Sequence, residues 1–198
     1  MRRLYALGVL LLLFVPLAAS QDTPQWELYG GYSFARFDVS PDLAPIGLDK
    51  INQHGWHASV SENVNKWVGG EAEFTGTYAQ PKFSDPLLGT VRLKTSAYTF
   101  LFGPRFTLRK WQRVTPFGHV LFGGAHVRVS TPLVPGLTES DTSFALKVGG
   151  GLDVKVSNRI AIRLVQADYV RTHFSDFDDD RQNNLNFSTG VVFRFGKR

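Results

Sequence analysis

The chain of 198 residues carries 22 Lys and Arg against 17 Asp and Glu, a formal net charge of +5, and no cysteine. A balance this mild and this scattered does not make a nucleic-acid surface. The missing cysteines exclude a lipoprotein anchor, a disulfide framework, a thiolate metal site and a Cys nucleophile. After the first twenty residues no apolar run approaches the roughly 18 that a spanning helix requires. The chain is therefore either soluble beyond the inner membrane or crosses a membrane as strands.

Residues 1–20 read as a secretion signal. Arg2 and Arg3 form its positive end, Leu4 to Leu17 its apolar run, and Ala18-Ala19-Ser20 the small residues before a cleavage ahead of Gln21. They are set apart from fold reasoning, which leaves 21–198 as one expected domain.

The first strand is predicted over Trp26 to Phe37. Leu28, Gly30, Tyr32 and Phe34 share one face, and Glu27, Tyr29, Gly31, Ser33 and Ala35 the other. A polar loop with Pro41, Pro45 and Gly47 follows. The second strand, His54 to about Glu62, sets Trp56, Ala58 and Val60 against His57, Ser59 and Ser61, and turns tightly at Asn63 to Lys66. The third, Trp67 to Tyr78, opposes Phe74 and Tyr78 to Glu71, Glu73, Thr75 and Thr77. A second long loop runs from Ala79 to Lys94.

The fourth strand, Thr95 to Thr107, has Tyr98, Phe100, Phe102 and Phe106 on one face, and Thr99, Gly103 and Arg105 on the other with Leu101 as an apolar exception. Pro104 lacks an N–H and is expected near a strand end or a bulge. In the fifth strand, Val114 to Val129, the parity is ambiguous: Phe117, Leu121 and Val127 compete with Val120 and Phe122. A third long loop spans Ser130 to Thr142. The sixth strand, Ser143 to Val156, alternates most cleanly, with Phe144, Leu146, Val148, Leu152 and Val154 opposing Ala145, Lys147, Gly149, Gly151, Asp153 and Lys155.

The turn Ser157-Asn158-Arg159 leads to the seventh strand, Ile160 to Thr172. Arg163 and Asp168 sit in opposite parity although both are polar, so a bulge is expected between them. The fourth long loop, His173 to Asn183, is acidic. The eighth strand, Asn184 to Phe195, sets a greasy face of Leu185, Phe187, Thr189, Val191, Phe193 and Phe195 against a mostly polar one of Asn186, Ser188, Gly190, Val192 and Arg194.

Strand is thus expected over more than half of residues 21–198, which is too much for an ordinary globular domain and ordinary for a barrel that is mostly wall. Long and short connections alternate, as in barrels with short periplasmic turns and long outer loops. Trp26, Trp67 and Trp111 all fall at the short-turn ends of strands, while Trp56 and Tyr98 follow the first two long loops, a placement that suits membrane interfaces. The fold class expected is all-β, an eight-stranded antiparallel up-and-down transmembrane β-barrel.

Ser188-Thr189-Gly190-Val191-Val192-Phe193-Arg194-Phe195 resembles the β-signal by which bacterial barrels are recognised for assembly, although Gly196-Lys197-Arg198 follow the last aromatic. Tyr29-Gly30-Gly31-Tyr32-Ser33-Phe34 and the stretch from Gln166 to Phe195 are similar to the small eight-stranded OmpA-like barrels of the outer membrane protein beta-barrel domain family. The resemblance implies the cell outer membrane, outer-membrane lipid as surroundings and the barrel assembly machinery as a partner of the last strand. It implies no particular activity, because such barrels serve as anchors, adhesins, narrow pores or enzymes.

An eight-stranded barrel is just wide enough for side chains to fill it. The inward set is expected to include Glu71, Glu73, Arg105, Lys147, Asp153, Lys155, Arg163, Asp168 and Arg194, paired because unpaired buried charge is costly. This reads as a salt-bridged plug beneath a structural or surface-interaction role, with the long loops open to an extracellular partner.

The alternatives are a narrow porin-like channel using the same residues, a soluble secreted ligand-binding barrel with the apolar face inward, and an enzyme. For the last, His173 and Ser175 with Asp176 or Asp178 resemble the Ser, His and acid of lipid A deacylase-type barrels; a polar strand end entering a loop is the preferred reading, and no catalytic residue is assigned. His119 and His126 face opposite ways, as do His54 and His57, so no metal or cofactor site is assigned. Asp176, Asp178, Asp179 and Asp180 lack the Gly turn and terminal Glu of an EF-hand loop and read as a solvated acidic loop.

Overall fold

The computed structural model describes residues 23–80, apart from 39–49, together with 82–85, 89–92, 94–130, 138–173 and 181–197. Their regular structure is entirely strand. In chain order the strands are β1 (Trp26–Asp38), β2 (Lys50–Asn63), β3 (Val68–Ala79), β4 (Lys82–Asp85), β5 (Gly89–Arg92), β6 (Lys94–Thr107), β7 (Val114–Ser130), β8 (Thr138–Lys155), β9 (Ile160–His173) and β10 (Arg181–Phe195). Eight of them close a barrel in the order β1-β10-β9-β8-β7-β6-β3-β2, and β4 and β5 form a separate small hairpin. Every neighbouring pair in the barrel is antiparallel, and the first strand meets the last with Trp26 opposite Phe195 and Phe34 opposite Phe187.

Closure leaves no sheet edge, so every strand has a hydrogen-bonding neighbour on each side. Side-chain alternation then sorts the residues radially. Leu28, Phe74, Phe100, Phe144, Val148, Phe187 and Phe193 are exposed on the outside, whereas Lys147, Arg105, Arg163 and Glu73 are buried within. A soluble carrier with its apolar face inward is excluded by this arrangement, since the greasy and ionic faces are the other way round.

The strands begin earlier than the alternation suggests at three places. β2 starts at Lys50 rather than His54, β8 at Thr138 rather than Ser143, and β10 at Arg181 rather than Asn184. The cause is visible in β7 and β8, where Val127 to Ser130 pair with Thr138 to Asp141. The ladder of hydrogen bonds runs on past the lipid-facing band into polar sequence, where no apolar periodicity marks it. β4 and β5 are likewise a hairpin inside the second long loop, missed for the same reason.

The bulge lies where the parity slip places it. Gln166 pairs with Ser188 and Arg163 with Gly190 on one side, and Val165 pairs with Leu152 and Arg163 with Asp153 on the other. Leu164 and Val165 both face outward in succession, which returns Asp168 to the inside alongside Arg163. The bulge frees the Arg163 carbonyl, and the Thr189 hydroxyl donates to it at 2.9 Å, satisfying both groups on a face where no water is available. Pro104 lies near a strand end, one of the two places expected for it. It sits exposed, three residues before the end of β6, and the register with β7 is the same on both sides of it, so there is no bulge.

Candidate functional site

Inward parity brings ionisable groups from all eight barrel strands to the axis, and the connection between β6 and β7 adds one more. At the short-turn end Glu27 on β1 gathers three guanidiniums. Arg109 donates from Nη2 at 3.0 Å, Arg194 Nε lies at 3.3 Å and Arg105 Nη2 at 3.3 Å. One level higher, Asp153 on β8 accepts from Arg163 Nε at 2.8 Å and from Arg105 Nη2 at 3.3 Å. Glu71 accepts from the Ser59 hydroxyl at 2.8 Å, lies 3.5 Å from Arg105, and faces His119 Nδ1 at 2.9 Å.

The next level is built round two carboxylates. Asp168 faces His119 Nε2 at 3.0 Å and accepts from the Gln166 amide at 2.8 Å, with Lys147 Nζ at 3.7 Å. Glu73 accepts from Lys147 and lies 3.1 Å from His57 Nε2, while His57 Nδ1 hydrogen-bonds Ser188 Oγ at 3.0 Å. Both nitrogens of His119 face carboxylate oxygens, a geometry that calls for a hydrogen on each.

Two aromatic rings stand inside this network. The guanidinium of Arg105 lies 4.1 Å from the centre of the Phe117 ring and that of Arg163 lies 4.2 Å from it, so the ring sits between two cations. Arg163 also lies 4.1 Å from the Tyr29 ring. A cation held over an aromatic face away from water gains about 2 kcal/mol or more. Phe117 is therefore a lumen residue, and the competing parities of β7 resolve with Phe117, His119, Leu121 and Ala125 inside and Val120 and Phe122 outside. On the β6–β8 side of the lumen Leu101, Leu121, Ala125 and Ala145 form an apolar cluster beside the ions, with Leu101 opposite Glu73 and Leu121 opposite Lys147 in the ladder. Higher still the groups are neutral: the Thr77 hydroxyl donates to Gln53 and the Ser33 hydroxyl to Asn186, each at 2.7 Å.

Of the nine residues expected inside, eight are buried in the network. Lys155 is half-buried at the mouth and makes no ion pair among the described residues. The sequence reading placed Glu27, Tyr29 and His57 on polar faces but did not join them to the network; Arg109, from a turn, carried no signal of its own. His173 is described in backbone only, and Ser175, Asp176, Asp178, Asp179 and Asp180 lie outside the described residues. Among the described residues Glu73, His119 and Asp168 offer ligand atoms within 4.8 Å of one another. The Lys147 ammonium already stands between Glu73 and Asp168, and both nitrogens of His119 are engaged, so the trio is complete as an ion-pair cluster.

Gly149 makes room for the upper level. A Cβ there would lie 2.2 Å from Asp168 Oδ1 and 2.6 Å from the Ala167 carbonyl. Gly149→Ala is expected to push Asp168 off His119 and cost about 1–3 kcal/mol in urea unfolding of the lipid-refolded barrel. Gly124→Ala, which meets open space, is the neutral comparison.

Outside, the wall is banded. Trp56 packs on Phe74 with ring centres 5.1 Å apart and donates to the Tyr78 hydroxyl at 3.4 Å, to which Tyr98 also donates at 3.4 Å. These rings lie towards the long loops, while Trp26, Trp67 and Phe195 stand exposed at the other end. The charged side chains on the outward strand faces are, among the described residues, Arg36, Lys94, Arg128 and Arg171 near the long loops and Glu62 near the short turns. Between these two belts the outer surface carries no charge, as a hydrocarbon layer requires.

A closed cylinder with an uncharged outer band, aromatic belts and an ion-paired interior is a membrane-spanning barrel of the outer-membrane kind. The chain belongs to the outer membrane protein beta-barrel domain family, whose sequence model matches residues 6–195, and its place is the cell outer membrane.

Among the solved structures that share the fold are the following three. The attachment invasion locus protein Ail of Yersinia pestis is 21% identical, with 87% of this chain and 99% of that one covered and a TM-score of 0.58. Neisserial surface protein A is 13% identical over 86% and 97%, with a TM-score of 0.61. OprG of Pseudomonas aeruginosa is 12% identical over 88% and 97%, with a TM-score of 0.50. No curated protein matches the chain.

Proposed function

We propose that this barrel is an outer-membrane anchor whose working parts are its long outer loops, with a lumen that serves stability rather than transport or catalysis. The observation that supports this is the state of the axis: Arg105, Lys147, Arg163, Glu71, Glu73, Asp153 and Asp168 are each at most 3% exposed and are held in one continuous network. Loops on a rigid scaffold are where surface proteins carry recognition, and the name of the Yersinia barrel, attachment invasion locus protein, is of that kind. On this reading residues 1–20 are a removed signal peptide, residues 21–198 are the barrel domain, and β10 is the strand offered to the assembly machinery. No enzymatic role is assigned.

The test is planar-bilayer recording of the refolded protein. The expected result is no steady conductance. A persistent current that Lys147→Gln alters would move the assignment to the narrow channel, in which Lys147 exchanges Glu73 for Asp168.

A further inference from the structure

Both termini and the short turns put one mouth of the barrel on the periplasmic side. There the turns 108–113 and 156–159 and the ends of β8 and β10 enclose a cleft of about 1150 Å³. Its wall includes Arg109, Arg113, Lys155, Arg159, Arg194 and Lys197, and among the described residues no Asp or Glu lines it. The carboxylate nearest in the network is Glu27, and it is already shared by Arg105, Arg109 and Arg194. One carboxylate cannot neutralise three guanidiniums, and of the three only Arg105 has further acids within ion-pair distance, Asp153 and Glu71.

The geometry at Arg194 carries the point further. Its side chain is 6% exposed, it lines the cleft, and its Nη2 has no hydrogen-bond partner. Nε of Arg109 is likewise buried without a hydrogen-bond partner. A buried guanidinium that leaves N–H groups unmade is costly. An anion in the cleft meets the positive charge that Glu27 leaves unbalanced, and the planar fork of Arg suits a phosphate that takes two N–H groups at once. Exposed Phe193, Phe195 and Ile160 border the same cleft, so an apolar chain attached to the phosphate has a surface to follow out to the lipid face.

We propose that the periplasmic mouth is a binding site for a phosphate-bearing anion, seated on Arg194 and ringed by Lys155, Arg113 and Arg159. The phosphate comes either from the headgroup of an anionic phospholipid in the inner leaflet or from a soluble phosphate compound, and the chemistry of recognition is the same. The site depends neither on what the outer loops bind nor on whether the lumen conducts, so its failure and that of the role proposed above are distinguishable.

The full chain, refolded in a zwitterionic phosphatidylcholine bilayer, is titrated with inorganic pyrophosphate by ³¹P NMR. In parallel it is extracted from bilayers containing phosphatidylglycerol, and retained lipid is read by native mass spectrometry. The native protein is expected to bind at least one of the two. Pyrophosphate binding marks the soluble source, and retained phosphatidylglycerol that pyrophosphate does not displace marks the lipid. Arg194→Gln with Lys155→Gln is expected to weaken the observed binding at least tenfold. Should that variant fail to refold, as judged by heat-modifiable gel mobility, Lys155→Gln with Arg159→Gln alters only the rim and is expected to weaken binding several-fold. Arg36→Gln with Arg128→Gln, at the opposite end, is expected to change nothing. Binding of neither probe by the native protein, or equal binding by native and mouth variants, overturns the assignment.

Discussion

Replacing Arg163 by Met is expected to cost about 3–5 kcal/mol, enough to remove most of the folded population of a marginal barrel. Arg163 donates to Asp153 from Nε at 2.8 Å and from Nη2 at 3.3 Å, and from Nη1 to the Gln166 side-chain Oε1 at 2.6 Å. It also covers the Tyr29 and Phe117 rings. Its loss leaves Asp153 with Arg105 alone. The penalty comes mainly from stranding a carboxylate in a place without water, so taking the carboxylate away as well is expected to restore much of it. Arg163→Met with Asp153→Leu is therefore expected to unfold in urea closer to the native midpoint than Arg163→Met alone. A double variant as unstable as the sum of two full losses would show that the guanidinium is needed for its own packing and not for charge balance.

Val148→Lys is expected to cost about 2–4 kcal/mol, the range for a Lys or Arg placed on the lipid face at the middle of a bilayer. Val148 neighbours Lys147 in the chain and faces the opposite way, 46% exposed, near the middle of the banded part of β8. Ser140→Lys, on the same face but close to the long loops, is expected to cost about 1 kcal/mol or less because its ammonium reaches the headgroups. The measurement is equilibrium unfolding in lipid vesicles. Equal, small effects at both positions would mean that Val148 does not face hydrocarbon.

These effects hang on orientation, which was legible in the sequence wherever the lipid face and the lumen face differ in chemistry. Phe144 to Val154 and Leu185 to Phe195 alternate greasy with polar, and both strands stand as read. The bulge was legible too, because Arg163 and Asp168 both require the inside and strict alternation denies it to one of them. β7 was not legible by this rule. Phe117 and Leu121 are apolar yet internal, one serving as a surface for two guanidiniums and the other as part of the apolar cluster on the β6–β8 side.

Polarity also hid the strand extensions and the β4–β5 hairpin, since water outside the membrane imposes no choice of face. Parity could assign His57 and Glu27 to the polar, inward face but could not name their partners, and on β7 it could not settle the side of His119. Glu73 meets Lys147 and His119 meets Asp168 only because the ladder registers around the closed sheet set the heights of distant strands. Arg109 reaches the axis from a turn, where alternation has no meaning.

The two successive outward residues Leu164 and Val165 have a bearing on how such a gene tolerates length changes. Loss of a single codon between positions 163 and 168 makes the seventh transmembrane strand perfectly regular, and for that reason inverts one half of it. Either the arginine or the aspartate is then driven into hydrocarbon while its counter-ions stay behind. Insertions and deletions of the same size in the polar connections at the cell surface leave both halves in frame. Single-residue length changes are therefore expected to be tolerated in the surface connections and not within this strand.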